Sequence, residues 1–162
     1  ISRIFSRKYI GLLFAGLFGF SVFMSFYYLQ TSYRVKTAVH FDYGFTESVQ
    51  IALDRRGDYQ KIILDGGNQS FLMAYLFTSR YPPAVFQNSF PLPSETVANG
   101  VEGYKFDNVV ILYPGTRDWN NISMDKNNLL IVSSLQPHAS ELPVEQTIYF
   151  PDSTPAFIVS KN

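Results

Sequence analysis

The chain of 162 residues carries thirteen Lys and Arg, thirteen Asp and Glu and no Cys, which excludes a disulfide scaffold and any Cys-based zinc site. All thirteen acidic residues lie beyond residue 30, where ten Lys and Arg face them, so that stretch is net negative by three. A nucleic-acid surface needs concentrated positive charge, and no nucleic acid is expected as a partner.

From Tyr9 to Leu29 the sequence reads YIGLLFAGLFGFSVFMSFYYL, without a charge. Such a run can cross the roughly 30 Å hydrocarbon core of a bilayer as one helix. Arg3, Arg7 and Lys8 precede it, and Tyr27, Tyr28 and Tyr33 lie at or past its far end. Basic residues favour the cytoplasmic side and aromatic rings settle at headgroup level. Arg34 and Lys36 follow closely, so the charge bias is three against two. The expectation is a cell-membrane protein with residues 1–30 as cytoplasmic flank and transmembrane helix and 31–162 as an extracytoplasmic domain. A secretory signal peptide is the rival reading, but the apolar run exceeds a usual signal core and no A-x-A-like cleavage site follows. The first residue is Ile rather than Met, which is read here as a piece of something longer.

Gly11, Ala15 and Gly19 recur every four residues along this run. Small residues at that spacing let another transmembrane helix approach closely. Besides the lipid bilayer, the expected partners are therefore other transmembrane helices of the same or another polypeptide. Frequent Gly and Ala in any membrane helix is the bland alternative.

Beyond the run, residues 31–162 suit one compact domain. Phe45, Val49, Ala52 and Leu53 keep helical spacing, with Asp42 or Thr46 available as a cap and Gly57 after the end. Lys61 to Asp65 is a short, continuous apolar strand. After Gly66-Gly67-Asn68, helical spacing returns at Leu72, Tyr75, Leu76 and Ser79, until Pro82-Pro83 stops it. Strand, turn and helix in that order point to a parallel α/β unit. The stretch from Phe86 to Gly103 is rich in Pro, Ser, Asn and Gly and reads as a long surface loop with one short strand at most. Val109–Tyr113 and Leu129–Ser133 are buried-type strands. Gln146–Phe150 and Ala156–Val159 flank a turn and form a terminal hairpin. The predicted fold is α/β: one transmembrane helix, then a small domain with a mostly parallel sheet and a C-terminal β-hairpin.

Chemistry-bearing patterns are few. Asp65-Gly66-Gly67 stands at the carboxyl end of a strand, where open α/β sheets bind ligands. It lacks the G-x-G-x-x-G spacing and the Lys of a phosphate loop, and a turn with Asn68 or Ser70 capping the next helix explains it as well. His40 and His138 lie far apart, without a neighbour at metal-ligand spacing. No Ser occupies a G-x-S-x-G elbow. Asp54, Asp58, Glu95, Glu102, Asp118, Asp125, Glu141 and Glu145 are scattered singly, and a solvated surface is their default. No catalytic, cofactor-binding or metal-ligating residue is therefore assigned.

Asn68-Gln69-Ser70 and Asn121-Ile122-Ser123 are glycosylation sequons, Asn121 the better placed because Asn68 also suits a helix cap. Tyr81, Phe86, Phe90, Tyr104 and Trp119 fall in loop-like sequence. Core packing is expected for most of them. Trp119, flanked by Arg117, Asp118 and two Asn, is the ring expected to be exposed and the candidate contact for a glycan or acceptor.

The succession Tyr43-Gly44-Phe45-Thr46-Glu47, Lys61-Ile62-Ile63-Leu64, Tyr75-Leu76-Phe77 through Tyr81-Pro82 and Phe86-Gln87 resembles a particular protein tail. It is similar to the C-terminal extracytoplasmic region of multi-pass membrane glycosyltransferases related to the dolichyl-phosphate-mannose protein mannosyltransferases. Leu129–Ser133, Thr147-Ile148-Tyr149-Phe150 and Pro155–Val159 extend the likeness over nearly the whole chain. One departure is Asp152-Ser153 where such tails often carry Asp-Gly. Ser accepts positive φ poorly, so a different turn geometry is expected there.

The resemblance implies an enzyme that takes a sugar from a polyprenyl-phosphate carrier and passes it to a protein, lipid or glycan acceptor. Its catalytic acids would lie on early extracytoplasmic loops absent from this chain. The chain itself would be an accessory part, inactive alone and without a cofactor of its own. The reading independent of the family is a single-pass anchored domain that binds a protein or glycan partner. A membrane-anchored hydrolase using scattered carboxylates ranks behind both.

Overall fold

The computed structural model describes residues 2–33, 43–67, 70–98, 101–115 and 127–161. The chain divides into two compact units, Ile1–Phe41 and Asp42–Asn162, and each is taken by itself.

In the first unit, helix α1 (Ser2–Tyr28) continues through a π-helical turn at Leu29–Tyr33. Within it, Tyr9–Tyr33 has a mean hydropathy of 1.9 over its best window and is long and apolar enough to cross a membrane. At about 1.5 Å per residue its 25 residues extend about 37 Å. Leu12, Phe14, Phe18 and Phe23 stand exposed on different sides of the helix. A helix apolar all round has no aqueous face to offer. In the π turn the Thr31 hydroxyl donates to the Tyr27 carbonyl at 2.7 Å, so this polar group is satisfied within the helix, as a lipid setting requires.

The second unit is built on a seven-stranded mixed sheet of order β2-β3-β4-β1-β5-β7-β6. The strands are β1 (Lys61–Asp65), β2 (Ser94–Ala98), β3 (Val101–Phe106), β4 (Val109–Leu112), β5 (Asn128–Ser133), β6 (Val144–Tyr149) and β7 (Pro155–Lys161). Helices α2 (Phe45–Asp54), α3 (Ser70–Thr78) and α4 (Pro83–Asn88) precede β2. Parallel pairing is confined to the centre, where β1 lies between β4 and β5. These three strands are buried along almost their whole length, which is why they read as unbroken apolar runs.

The expectation of a mostly parallel sheet is corrected. The other four pairings, β2–β3, β3–β4, β5–β7 and β6–β7, are antiparallel. Part of the difference arises in the segment read as a loop, which holds the end of α4, β2 and the start of β3, and part in β7, which adds antiparallel to β5. In β3 the buried Val101, Gly103 and Phe106 are interrupted by the exposed Glu102 and Lys105, so no continuous apolar run marks it, unlike the central strands. The terminal hairpin is as expected. Its turn is not: Ser153 adopts φ 67°. Asp152 holds it there, its Oδ1 accepting from the Thr154 amide at 2.9 Å and the Thr154 hydroxyl at 2.6 Å.

The two faces of the sheet are covered differently. Ile63, Val110, Leu130, Val132 and Ile158 form one face, packed with Val101, Leu112 and Ala139. On the other, Phe157 meets Phe45 of α2 and Phe71 of α3, with ring centroids 4.8 and 5.3 Å apart. Both helices therefore lie on the Phe157 face. Helix α2 buries Phe45, Val49 and Ala52 at helical spacing. It starts at Gly44 (φ 83°) with no side-chain cap; Thr46 lies inside the helix, and Asp42 lies outside the described residues.

Candidate interaction surface

Helix α3, SFLMAYLFT, is apolar on every side. Phe71 and Tyr75, four residues apart, are buried; Tyr75 packs on Phe106 of β3, centroids 4.7 Å apart. Met73 and Phe77 make a second i, i+4 pair that points away from the sheet, 52% and 76% exposed. A surface helix ordinarily places polar residues there.

The helix ends in a Schellman motif. Tyr81 N donates to the Leu76 carbonyl at 2.9 Å and Arg80 N to the Phe77 carbonyl at 3.2 Å, with Arg80 left-handed at φ 53°. Glycine usually takes this place. Pro82 then caps α4 and Pro83 opens it, the position where a missing N–H is harmless. This tight reversal sets Phe86 beside α3. Phe86 and Phe90 pack edge to face with centroids 5.1 Å apart, yet Phe90 remains 63% exposed. Between the two helices runs an apolar groove of about 470 Å³, lined by Met73, Leu76, Phe77, Arg80, Pro83 and Phe86.

Tyr81 also lines the groove and separates it from a polar cleft of about 360 Å³. Arg56, Tyr75, Ser79, Lys105 and Asp107 face that cleft. Its floor is the β3–β4 turn, where Asp107 is left-handed at φ 53°. Asn108 ties this turn to the end of α2, its Nδ2 donating to the carbonyls of Arg56 (2.7 Å) and Tyr59 (2.9 Å). Burial and then the nearby Asp107 carboxylate push the Tyr75 phenol above its ordinary range. The cleft offers cations, a carboxylate and phenols to a small polar ligand. Among the described residues lining it, Asp107 is the one carboxylate.

The strand-end loop is a packed turn. Asp65 is buried and its Oδ1 accepts from the Gly67 amide at 3.0 Å. A Cβ at Gly66 would lie 2.6 Å from the Phe45 ring and 2.9 Å from that of Phe71, and one at Gly67 (φ 70°) would collide with the Gln136 amide. Aromatic side chains thus fill the space a ligand would take beside β1.

Three of the scattered carboxylates have structural tasks, and Asp118 and Asp125 lie outside the described residues. Glu95 joins Lys61 and, at 2.9 Å, Lys105. Glu145 pairs with Arg55 at 2.7 Å, and Asp54 accepts from Gln50 at 2.8 Å. Among the described residues, no three His, Asp or Glu side chains gather as a metal site would need.

Of the residues singled out in the sequence, Trp119, Asn121, Asn68 and His40 lie outside the described residues. Gly11, Ala15 and Gly19 are exposed on α1, and a Cβ at Gly11 or Gly19 would meet nothing within 4 Å. Among the loop aromatics, Tyr81, Phe86 and Tyr104 are half-buried and Phe90 is exposed; core packing overstated their burial. The outward pair Met73 and Phe77 was missed, although FLMAYLF carries the signal: a nine-residue helix against one sheet cannot bury an all-round apolar surface. No family model, curated protein or solved structure matches the chain.

Proposed function

We propose that this chain is a membrane-tethered accessory domain that acts by binding at the bilayer surface. The observation carrying this reading is the pairing of a helix long and apolar enough to span a membrane with a folded α/β unit whose outward surface is apolar at α3 and α4. The use of Glu95, Glu145 and Asp54 in ion pairs and hydrogen bonds supports a structural rather than a catalytic role for those acids.

Within that reading, the chain is the last membrane helix and extracytoplasmic domain of a glycosyltransferase that uses a polyprenyl-phosphate-linked sugar, with the reacting groups elsewhere in the parent. The support is the ordered likeness from Tyr43-Gly44-Phe45 to Pro155–Val159. Other membrane helices would pack on the Gly11, Ala15 and Gly19 face, and a glycan or protein acceptor would be held on the domain. The second reading, a single-pass anchored binding domain, is favoured by the polar cleft at Tyr75 and Tyr81, which the described residues of the folded unit line. The coding sequence upstream of Ile1 separates them. Several further hydrophobic spans and an early loop with paired acids are expected for the glycosyltransferase; a start codon immediately before Ile1 would contradict it.

A further inference from the structure

We infer that the outward face of α3 and α4 is a lipid-docking surface: Met73, Phe77, Val85 and Phe90 rest in the interfacial layer of the bilayer that α1 crosses. The inference rests on the membrane tether proposed above. Its observations lie in the second unit. Met73 and Phe77 are exposed and line the groove, and Val85 on α4 and Phe90 just after it are exposed as well; exposed apolar surface of this kind marks interaction sites.

Three features select lipid as the occupant. The first is reach. Only ten peptide links separate Tyr33, the end of the candidate span, from Tyr43, where the described part of the domain begins. Fully extended they cover at most about 36 Å, so wherever α1 crosses, the domain is held close to a lipid surface. A second surface on the same chain then binds at high effective concentration, and modest affinity is enough.

The second is charge. Among the described residues the groove carries one cation, Arg80, and no carboxylate, which suits phosphate-bearing headgroups. A guanidinium at the rim of an apolar patch can meet lipid phosphates while its stem lies along hydrocarbon. Arg80 is held in a left-handed conformation that glycine would take more easily, so the position carries a cation in spite of the backbone.

The third is composition. Met73, Leu76, Phe77 and Phe86 stand in the groove beside Tyr81 and Arg80, side chains whose polar tips can stay at headgroup level while their apolar bodies lie along hydrocarbon. The outward residues are unbranched or aromatic in the main, able to fit a fluid surface without a shaped counterpart.

The test uses the full chain in vesicles of phosphatidylcholine and phosphatidylglycerol, with bromine on the acyl chains as a contact quencher. Because Trp119 is the sole Trp, Trp119→Phe gives a silent background, into which Phe77→Trp, Val144→Trp or Phe18→Trp is placed. Val144 is exposed on β6, at the sheet edge opposite β2, and serves as the domain's control. With Phe77→Trp the emission is expected to shift to the blue and to be quenched, most strongly by bromine near the headgroup. With Val144→Trp neither change is expected. Phe18→Trp lies within α1 and reports the tether, where quenching by deep bromine is expected.

Quenching at position 18 without quenching at 77 would overturn the docking and leave the tether standing. A blue shift at 77 without quenching would place a protein surface there, a second copy or another helix, and would also overturn it. Loss of quenching at both positions would remove the tether and the docking together. Should Trp119→Phe prevent folding, Phe77→Cys in the otherwise Cys-free chain takes a nitroxide with Trp119 retained. Greater relaxation by oxygen than by a water-soluble nickel chelate is then the expected result, and the reverse order would contradict lipid contact.

Discussion

Arg80 occupies the position that ends α3, at φ 53°, where an L side chain is strained by roughly 1–2 kcal/mol. Glycine relieves that strain but loses more freedom on folding. Arg80→Gly is therefore expected to stabilise the fold by about 0.5–1 kcal/mol in urea unfolding of the full chain in micelles, while weakening vesicle contact at the Phe77 face. A loss of stability would show that the guanidinium supports the fold. Glu95 behaves differently. Its hydrogen bonds to Lys61 first and to Lys105 second hold its carboxyl below the usual range. A depressed folded value means that the contribution is complete above the unfolded value, near 4.5, and is lost as pH falls through the folded one. The triad is partly open to solvent, so Glu95→Gln is expected to cost only about 0.5–1 kcal/mol at pH 7. The gap from the parent chain should close as pH falls below the carboxylate range; a gap independent of pH would assign the effect to packing.

Helix α3 carries the contrast between fold and surface within two turns. Phe71 is fully buried against Phe45 and Phe157, and Phe71→Ala is expected to cost about 3–5 kcal/mol. Phe77→Ala, at an exposed site, should change stability by no more than about 0.5 kcal/mol. Equal losses in urea unfolding would mean that Phe77 is part of the core. The helix itself was legible in the spacing of Leu72, Tyr75 and Leu76, as was β1, which spans Lys61–Asp65 as expected. Its outward face was not, because helical spacing identifies one buried stripe and is silent about apolar residues outside it. Strands β2 and β3 were hidden for a related reason. They lie towards one edge of the sheet, interrupted by Ser94, Glu95, Thr96, Glu102 and Lys105, and the Pro, Ser and Asn around them imitate a loop. Asn99-Gly100 between Thr96-Val97-Ala98 and Val101 was the available hairpin signal.

In the molecule as a whole, continuous apolar strands made the parallel centre of the sheet readable, whereas its antiparallel flanks depended on short connections such as Asp107-Asn108. The candidate surface depends on still longer-range facts: which helix face the sheet leaves uncovered, and what α4 sets beside it. The helix long and apolar enough to cross a membrane is the most legible feature, since about twenty uncharged, mostly apolar residues mark it in the sequence. If the domain is extracytoplasmic, Ser140→Cys, exposed near the β5–β6 connection, should react in intact cells with a maleimide that cannot cross membranes.

The same cells supply the most direct measurement. The Ser140→Cys chain is labelled from outside, the membranes are washed with alkaline carbonate, and the label is followed by fractionation. A labelled chain that remains in the washed membrane is the expected result. A chain released by carbonate, or labelled only after the cells are opened, would contradict a membrane-spanning tether with its folded domain outside.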